Sequence, residues 1–318
     1  MTTSATEKRS RLGARPPLFD AHAHLVADDQ QRYPRHPMIR PASAPPRPPG
    51  VIGLPGGKHG PNPINEVPDA SRMLRWMAEE NVDGIVAVQK RMIYRYDNRY
   101  ILDSSSANPQ KMFAVVILDA EDDATPDVIR RFVSEHKVRG VRLFGSRNAE
   151  GGMPWLNSPH ALKTWAVVDK LGLVMDLEVL ARGGGGPSVP AIIQLARTYT
   201  NVKIVLDHLL EPEVGDSRDF GLDERFLPLA DQRNIFFKFT SINLDLYREA
   251  DIPAEAVLRR AVDLFGAHRI MWGSDIGTSS GTYREMVQRM IDATSLLSED
   301  ERRQVLHDTG RRVFLGDS

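Results

Sequence analysis

The chain has 318 residues, of which 41 are Lys or Arg, 42 are Asp or Glu, nine are His and none is Cys. Its net charge of −1 excludes the basic surplus expected of a protein that binds nucleic acid or an anionic membrane, so the composition favours a small-molecule partner. The absence of Cys excludes disulfides, a thiolate nucleophile and Cys-bound zinc, which leaves His and carboxylates as metal ligands and indicates a cytoplasmic location.

The first segments of the chain are irregular. Residues 1–16 hold four basic side chains but lack the apolar stretch of a signal peptide, so we expect a flexible tail. No stretch approaches the roughly 20 apolar residues that cross a bilayer, and no membrane association is expected.

Eleven of the 22 prolines fall between Pro34 and Pro68. Because such a segment cannot continue a helix or a central strand, it is interpreted as either a linker or a functional lid.

Short β-rich apolar runs alternate with longer stretches of helical period along the rest of the chain. The predicted strands cover residues 18–24, 84–89, 112–118, 138–144, 173–179, 203–208, 234–240 and 269–275. The predicted helices cover residues 69–80, 97–107, 126–135, 158–171, 190–199, 222–231, 253–265, 283–297 and 298–307. Two of these helices begin with cap signals, at Ser158 and Ser298.

This alternation predicts an α/β fold, a (β/α)₈ TIM barrel of parallel strands that forms a single domain over residues 17–318. An open doubly wound sheet is the alternative fold. That fold usually binds a nucleotide through glycines in its first strand–helix turn, and the turn after residues 18–24 has none. The glycine run at 183–186 lacks the Lys-Ser/Thr of a phosphate-binding loop and is interpreted as a flexible loop.

Polar side chains follow most of the predicted strands, at the end where the active sites of such barrels lie. Strand 1 ends in His22-Ala-His24, and residues two apart on a strand point to the same face, so both imidazoles can reach one point. The other strand-end residues are Gln89, Arg142, Asp176, Glu178, Asp207, His208, Lys238, Thr240, Ser274 and Asp275. A single strand-end His or Asp is often a surface or capping residue, but His22, His24, His208 and Asp275 together indicate a functional site.

The Pro-rich segment directly follows strand 1, on the side of the barrel where these residues collect. We therefore predict that residues 33–68 form a wall or lid over the mouth, with His36, Lys58 or His59 reaching a substrate. The remaining histidines lie in helical or pre-strand positions and are interpreted as structural or solvated; they are His136, His160, His268 and His307.

Several segments, taken in order, resemble the amidohydrolase superfamily and, within it, the lactonase-like branch that acts on 2-pyrone-4,6-dicarboxylate and on sugar lactones. They are FDAHAHL, VQKRMIYRYDNRYILD, VRGVRLF, LVMDLEVL, IVLDHLLEP, IFFKFTSI, HRIMWGSDIG and ERRQVLHDTGRRVFLG, and they run from residue 19 to 316. The resemblance implies catalytic roles for His22, His24, His208 and Asp275, with Asp275 as the base that activates water.

The resemblance also implies how substrate and metal would be bound. Arg142 would hold a substrate carboxylate or hydroxyl, although an interstrand salt bridge is its alternative role. The other implied pocket residues are Gln89, Arg91, Tyr94, Asn98, Glu178 and His59, and Asp97 and Asn98 could equally cap the next helix. A divalent metal such as zinc would have His22, His24, His208 and Asp275 as ligands, with Glu178 as a further candidate. The sequence leaves open whether a metal is bound, and it indicates no organic cofactor.

Departures from the superfamily pattern narrow these expectations. Strand 4 carries Arg142 where binuclear members have a bridging Lys or Glu, so a binuclear centre is not expected. Strand 5 offers only Asp176 or Glu178 where mononuclear members have a His. Ile276 and Gly277 stand where the lactonase branch commonly has Trp-Pro, which leaves the identity of the substrate open.

We therefore expect a hydrolase that opens an anionic or polyhydroxylated lactone with an activated water. The first alternative is a metal-dependent decarboxylase of an aromatic or muconate-type acid, which requires a His on strand 5. The second is a non-catalytic barrel that only binds a ligand. A homo-oligomer is compatible with the sequence.

Overall fold

A computed structural model describes residues 16–36, 67–180, 185–215 and 218–316. Its eight strands pair in parallel in chain order, which confirms the predicted barrel. The strands are β1 (Leu18–His24), β2 (Val82–Val88), β3 (Met112–Ile117), β4 (Gly140–Gly145), β5 (Val174–Val179), β6 (Lys203–Leu206), β7 (Ile235–Thr240) and β8 (Ile270–Gly273). A parallel bridge between Ala23 and Ile276 brings the chain after β8 against β1, so the barrel is nearly closed.

The α-helices are α1 (Ala70–Glu80), α2 (Arg91–Tyr94), α3 (Arg99–Ala107), α4 (Thr125–His136), α5 (Pro154–Asn157), α6 (Pro159–Leu171), α7 (Val189–Thr198), α8 (Ser241–Glu249), α9 (Ala254–Phe265), α10 (Tyr283–Ala293), α11 (Glu299–Arg303) and α12 (Thr309–Leu315). Short 3₁₀ turns cover Gly186–Ser188, Asp207–Leu210, Leu227–Asp231 and Ala267–Arg269, and a π-helical turn covers Gln304–Asp308. The predicted caps are present: Ser158 accepts the N–H of Ala161, and Ser298 forms a capping box with Glu301.

Two helical predictions around β7 are wrong. The predicted helix 222–231 contains only the 3₁₀ turn Leu227–Asp231, because Pro228 lacks the N–H that a helix interior needs. Conversely, α8 forms directly after β7, where no helix is predicted. The capping box between Thr240 and Asn243 starts it, and α8 buries most of its residues.

The barrel interior changes character along the strands. Its lower part is apolar and includes Phe19, Ala21, Val86, Val88, Val115, Val174, Val205, Phe236 and Met271, which pack with Val313 and Phe314 of α12. Because inward positions recur every two residues, β5 continues from Val174 to Asp176 and Glu178, and β7 continues from Phe236 to Lys238 and Thr240. The interior is therefore apolar at the bottom and charged toward the mouth.

Most of the predicted tail and lid lies outside the described residues, since residues 1–15 and 37–66 do, as do Lys58 and His59. The described ends of the Pro-rich segment are anchored beside β1 and α2. The N–H of His36 donates to the carbonyl of Ile93 at 2.7 Å, and the carbonyl of Pro68 accepts the N–H of Val26 at 2.9 Å. Within the described ranges, every helix is too short or too polar to cross a bilayer.

Candidate active site

An irregularity in β1 turns both histidines of the His22-Ala-His24 motif into the barrel mouth. Just after Asp20, β1 contains one residue more than the facing stretch of β2. The extra residue moves the inward positions from Phe19 and Ala21, in the apolar floor, to His22 and His24. The Asp20 carboxylate supports this geometry, because its Oδ1 accepts the N–H of His22 at 3.0 Å and that of the residue after β8 at 2.8 Å.

Three of the four predicted catalytic residues meet in one buried cluster. The Nε2 atom of His24 lies 3.0 Å from Oδ1 of Asp275, and Nε2 of His22 lies 3.6 Å from the same oxygen. The backbone N–H of Asp275 donates to the carbonyl of His22 at 2.7 Å, which holds the chain after β8 against β1. The Asp275 backbone is in the left-handed region, with a φ of 49°.

The close contacts in this cluster join atoms that can both only accept hydrogen bonds. Nδ1 of His24 lies 2.9 Å from the carbonyl of Val88, which can only accept, so Nδ1 carries a proton. Burial, reinforced by nearby cations, lowers the pKa of His24 to about 4, so at pH 7 its Nε2 presents a lone pair. Burial raises the pKa of Asp275, and the contacts with His24 and the neighbouring imidazoles lower it below the usual range only while these rings supply a proton or a charge. With His24 neutral and Asp275 ionised, an imidazole lone pair faces a carboxylate at 3.0 Å.

A divalent cation between these acceptors would remove the conflict. Nδ1 of His22 lies 3.2 Å from both the Asp207 carboxylate and Nζ of Lys238. In the tautomer in which Nδ1 donates to Asp207, Nε2 of His22 also presents a lone pair, and this buried atom has no hydrogen-bond partner in the described part of the chain. Zinc bonds of about 2.1 Å in a tetrahedral site place ligand atoms about 3.4 Å apart. The observed separations of 3.0 and 3.6 Å match that spacing. His22, His24 and Asp275 therefore fit a divalent metal.

The fourth predicted residue, His208, begins a strained turn. Residues 208–211 all have positive φ, between 45° and 61°, a conformation that costs roughly 1–2 kcal/mol for each residue with a side chain. Two residues outside this turn hold it: the amide of Asn243 donates to the carbonyl of His208 at 2.9 Å, and the N–H of Gly185 donates to the carbonyls of Leu210 and Glu211, both at 3.0 Å. The strain is thus maintained by α8 and by the loop after β5.

The turn places the imidazole of His208 beside the cluster but outside the candidate metal group. Its ring centre lies 5.6 Å from that of His22, and its Nδ1 lies 2.7 Å from Oγ1 of Thr240. The predicted metal group of four thus contains three residues whose ligand atoms converge, with His208 as a neighbour.

Below the cluster lies a second group of buried charges, which we call the ion-pair layer: Asp176, Lys238, Asp207 and Arg142. Nζ of Lys238 lies 2.5 Å from Asp176 and 3.1 Å from Asp207, and Nη2 of Arg142 lies 2.6 Å from Asp207. Burial would raise the pKa of Asp207, but the two cations hold it well below its usual range. Asp207 is therefore an ionised acceptor beneath Nδ1 of His22.

For Arg142, the salt-bridge alternative is the one present in the structure. Besides its contact with Asp207, its Nη2 lies 3.3 Å from the carboxylate of Glu178. The guanidinium is buried and already paired with two carboxylates. The carboxylate of Glu178 is thus also part of an ion pair. Arg142 stabilises the site from the barrel wall, and it also lines the cavity.

Three of the predicted pocket residues form hydrogen bonds with the backbone and do not line the cavity; they are Gln89, Tyr94 and Asn98. The amide of Gln89 donates to two backbone carbonyls of the following loop, at 2.5 and 3.1 Å. The hydroxyl of Tyr94 accepts the N–H of Ala27 at 2.8 Å, and Oδ1 of Asn98 accepts a β3 N–H at 2.8 Å. Gln89 points away from the mouth because Val86 and Val88, one residue out of phase with it, face inward.

Lys90, which is absent from the predicted site residues, continues the inward series from Val86 and Val88. Lys90, Arg91, Glu178 and Thr278 line a cavity of about 190 Å³ that opens onto His24, His208 and Asp275. The alternation along β2 could have identified Lys90, but the strand was expected to end at Gln89. Of the other predicted pocket residues, Arg91 lies on this cavity and His59 is outside the described residues.

The model of the amidohydrolase family matches residues 19–315. An L-fucono-1,5-lactonase from Burkholderia ambifaria is 26% identical over 200 residues, which are 63% of this chain and 66% of the relative, slightly under two thirds of its length. A Pseudomonas putida structure assigned as a 2-pyrone-4,6-dicarboxylic acid hydrolase has a TM-score of 0.68 at 20% identity, covering 96% of this chain and 100% of that one. A zinc-bound amidohydrolase from Burkholderia multivorans has a TM-score of 0.64 at 20% identity, covering 94% and 99%.

Proposed function

Since the chain belongs to the amidohydrolase family, we propose that it is a hydrolase that opens a lactone ring by attack of an activated water. The observation that carries this proposal is the cluster of His22, His24 and Asp275, with His208 beside it, at the mouth of the barrel. The similarity to an L-fucono-1,5-lactonase supports a cyclic ester as the substrate.

Three residues have different roles in the proposed hydrolysis of a lactone. Asp275, an ionised carboxylate on the cavity, accepts the proton of the attacking water. When the hydroxyl of Thr240 donates to Nδ1 of His208, the remaining ring proton of His208 is on Nε2, where it can stabilise the oxyanion of the tetrahedral intermediate. Arg142 positions the site through Asp207.

His22, His24 and Asp275 are the residues that would hold a divalent metal. When bound there, such a metal would lower the pKa of a water ligand and polarise the lactone carbonyl.

A hydrolysis screen tests this function. Metal-depleted and zinc-supplemented protein is incubated with sugar lactones, pyrones and muconolactones, and the release of acid is followed with a pH indicator. We expect at least one lactone to be opened by the supplemented protein. If no lactone in the panel releases acid in either sample, the proposed function is wrong.

The structure gives less support to the alternatives. A decarboxylase of this superfamily needs an imidazole on β5, and the inward residues there are Asp176 and Glu178, each paired with a cation. Release of carbon dioxide from an aromatic acid would favour that alternative. Tight ligand binding without turnover would favour a non-catalytic barrel.

A cytoplasmic location and assembly into a homo-oligomer stay predictions.

A further inference from the structure

Lys90 is a buried cation with no matching anion. The residue is 9% exposed, and its ammonium donates a hydrogen bond to Oγ1 of Thr278. In the described ranges no carboxylate lies within salt-bridge distance of it. The other buried cations of the barrel interior differ, since Lys238 contacts two carboxylates and Arg142 contacts two. A buried ammonium that only a neutral hydroxyl contacts is costly unless another anion completes its surroundings.

The neighbouring cation, Arg91, also lacks a carboxylate partner among the described residues. Its guanidinium stacks over the ring of Phe144, with CZ 3.7 Å from the ring centre, and forms no ion pair with the described residues. Of the carboxylates on the same cavity, Glu178 pairs with Arg142 and Asp275 lies in the candidate metal group, and both attract Lys90 only from beyond salt-bridge distance. The cavity wall therefore presents two unmatched cations next to the candidate catalytic cluster.

We propose that Lys90, assisted by Arg91, binds a carboxylate carried by the lactone, so that the substrate is anionic. This inference rests on the proposed lactonase function and specifies its substrate class. A carboxylate would supply the missing counter-charge through charge-assisted hydrogen bonds. A neutral polyhydroxylated lactone would leave both cations unmatched and would lose that stabilisation. Burial lowers the pKa of Lys90 to about 8, so the group is still largely charged at pH 7 and a bound anion would favour the charged form.

The test uses two lactones with the same ring and different charge: 5-oxotetrahydrofuran-2-carboxylate and 5-(hydroxymethyl)oxolan-2-one. Wild-type protein is compared with Lys90→Met, Lys90→Arg and Lys163→Met. Lys163 is a surface lysine that pairs with Asp123 and serves as the control for loss of a lysine. Thermal melting of each variant checks that it folds.

We expect the wild type to prefer the carboxylate. Lys90→Met should lower kcat/KM for the carboxylate by about 30-fold or more, mainly through KM, while activity on the hydroxymethyl lactone changes little. Lys90→Arg should retain the preference, and Lys163→Met should behave as wild type. If Lys90→Met lowers activity on both lactones equally, or on neither, the inference is wrong.

A binding measurement separates this inference from the proposed function. Tetrahydrofuran-2-carboxylate has the carboxylate but no lactone carbonyl, so calorimetry with it reports the subsite alone. If the wild type opens neither lactone and the wider screen is also negative, the hydrolase proposal fails. Tighter binding of this probe by wild type than by Lys90→Met would then still support the carboxylate subsite, and equal affinities would overturn it.

Discussion

The barrel mouth holds two groups of buried polar side chains, one above the other, with different charge balance. In the ion-pair layer, Asp176, Lys238, Asp207 and Arg142 each have an opposite charge within 3.1 Å. In the cluster above it, His22, His24 and Asp275 present acceptors to one another. A group whose charges are already matched is complete without a ligand, whereas a cation would complete the upper cluster.

The two groups meet at Nδ1 of His22, which lies 3.2 Å from both the Asp207 carboxylate and Nζ of Lys238. The other contacts of the Asp207 carboxylate are with Lys238 and Arg142. In the tautomer in which Nδ1 donates to Asp207, this carboxylate orients the ring and leaves Nε2 free to bind a metal. The ion-pair layer therefore orients the upper cluster, and the two can be separated by mutation.

The largest effect is expected from Asp275→Asn in the upper cluster. The amide has nearly the same shape but cannot accept the proton of water, so we expect turnover to fall by about 10²–10⁴-fold. Circular dichroism and thermal melting should show an intact fold. Activity close to that of wild type would remove Asp275 as the base.

The link between the groups predicts an intermediate effect for Asp207→Asn. Loss of the carboxylate beneath His22 should weaken zinc affinity by about 10–100-fold, measured by competition with a chromogenic chelator. Asp176→Asn is the matched control, since Asp176 contacts the same lysine from the other side. Burial raises the pKa of Asp176 to about 7, so an amide replaces a carboxyl that is already partly protonated. Equal loss of affinity in both variants would contradict a positioning role for Asp207.

The smallest effect is expected from Glu301→Gln, which lies outside both groups. Arg259 of α9 donates two hydrogen bonds to Glu301 of α11, at 2.8 and 2.9 Å, and lowers its pKa from 4.5 to about 2. A depressed folded-state pKa stabilises the fold above pH 4.5 and loses that contribution as the pH falls toward 2.

Glu301→Gln should therefore lower the free energy of unfolding by up to about 1 kcal/mol at pH 7, and by progressively less below pH 4.5. Urea unfolding at several pH values measures this difference. Lactone hydrolysis should be unchanged. A difference in stability that does not shrink on acidification would show that the ion pair is not its source.

The barrel could be predicted from the sequence because its strands are local apolar runs, and β1 has the predicted bounds. The elements around β7 could not. Residues 241–246 alternate in polarity and do not suggest a helix, whereas the capping box between Thr240 and Asn243 sets α8. The helix predicted over residues 222–231 fails at Pro228, which the apolar periodicity around it obscured.

Site residues could be predicted where strand alternation determines which way they face. They could not be predicted where their role depends on which neighbouring side chain they contact. The His22-Ala-His24 spacing indicated a shared face, although the added residue in β1 that turns that face inward is a tertiary feature. Arg142 could equally have bound a substrate or a neighbouring strand, and only the position of Asp207 decides between these. Lys90 was missed because its role follows from where β2 ends.

The metal site at His22, His24 and Asp275 is tested most directly by a zinc titration of metal-depleted wild-type protein against a chromogenic chelator, in parallel with His24→Ala. We expect one tightly bound zinc per wild-type chain, with recovery of lactone hydrolysis at the same stoichiometry, and loss of both in the variant. Full lactone hydrolysis by the metal-depleted protein, or equal zinc binding by His24→Ala, would contradict it.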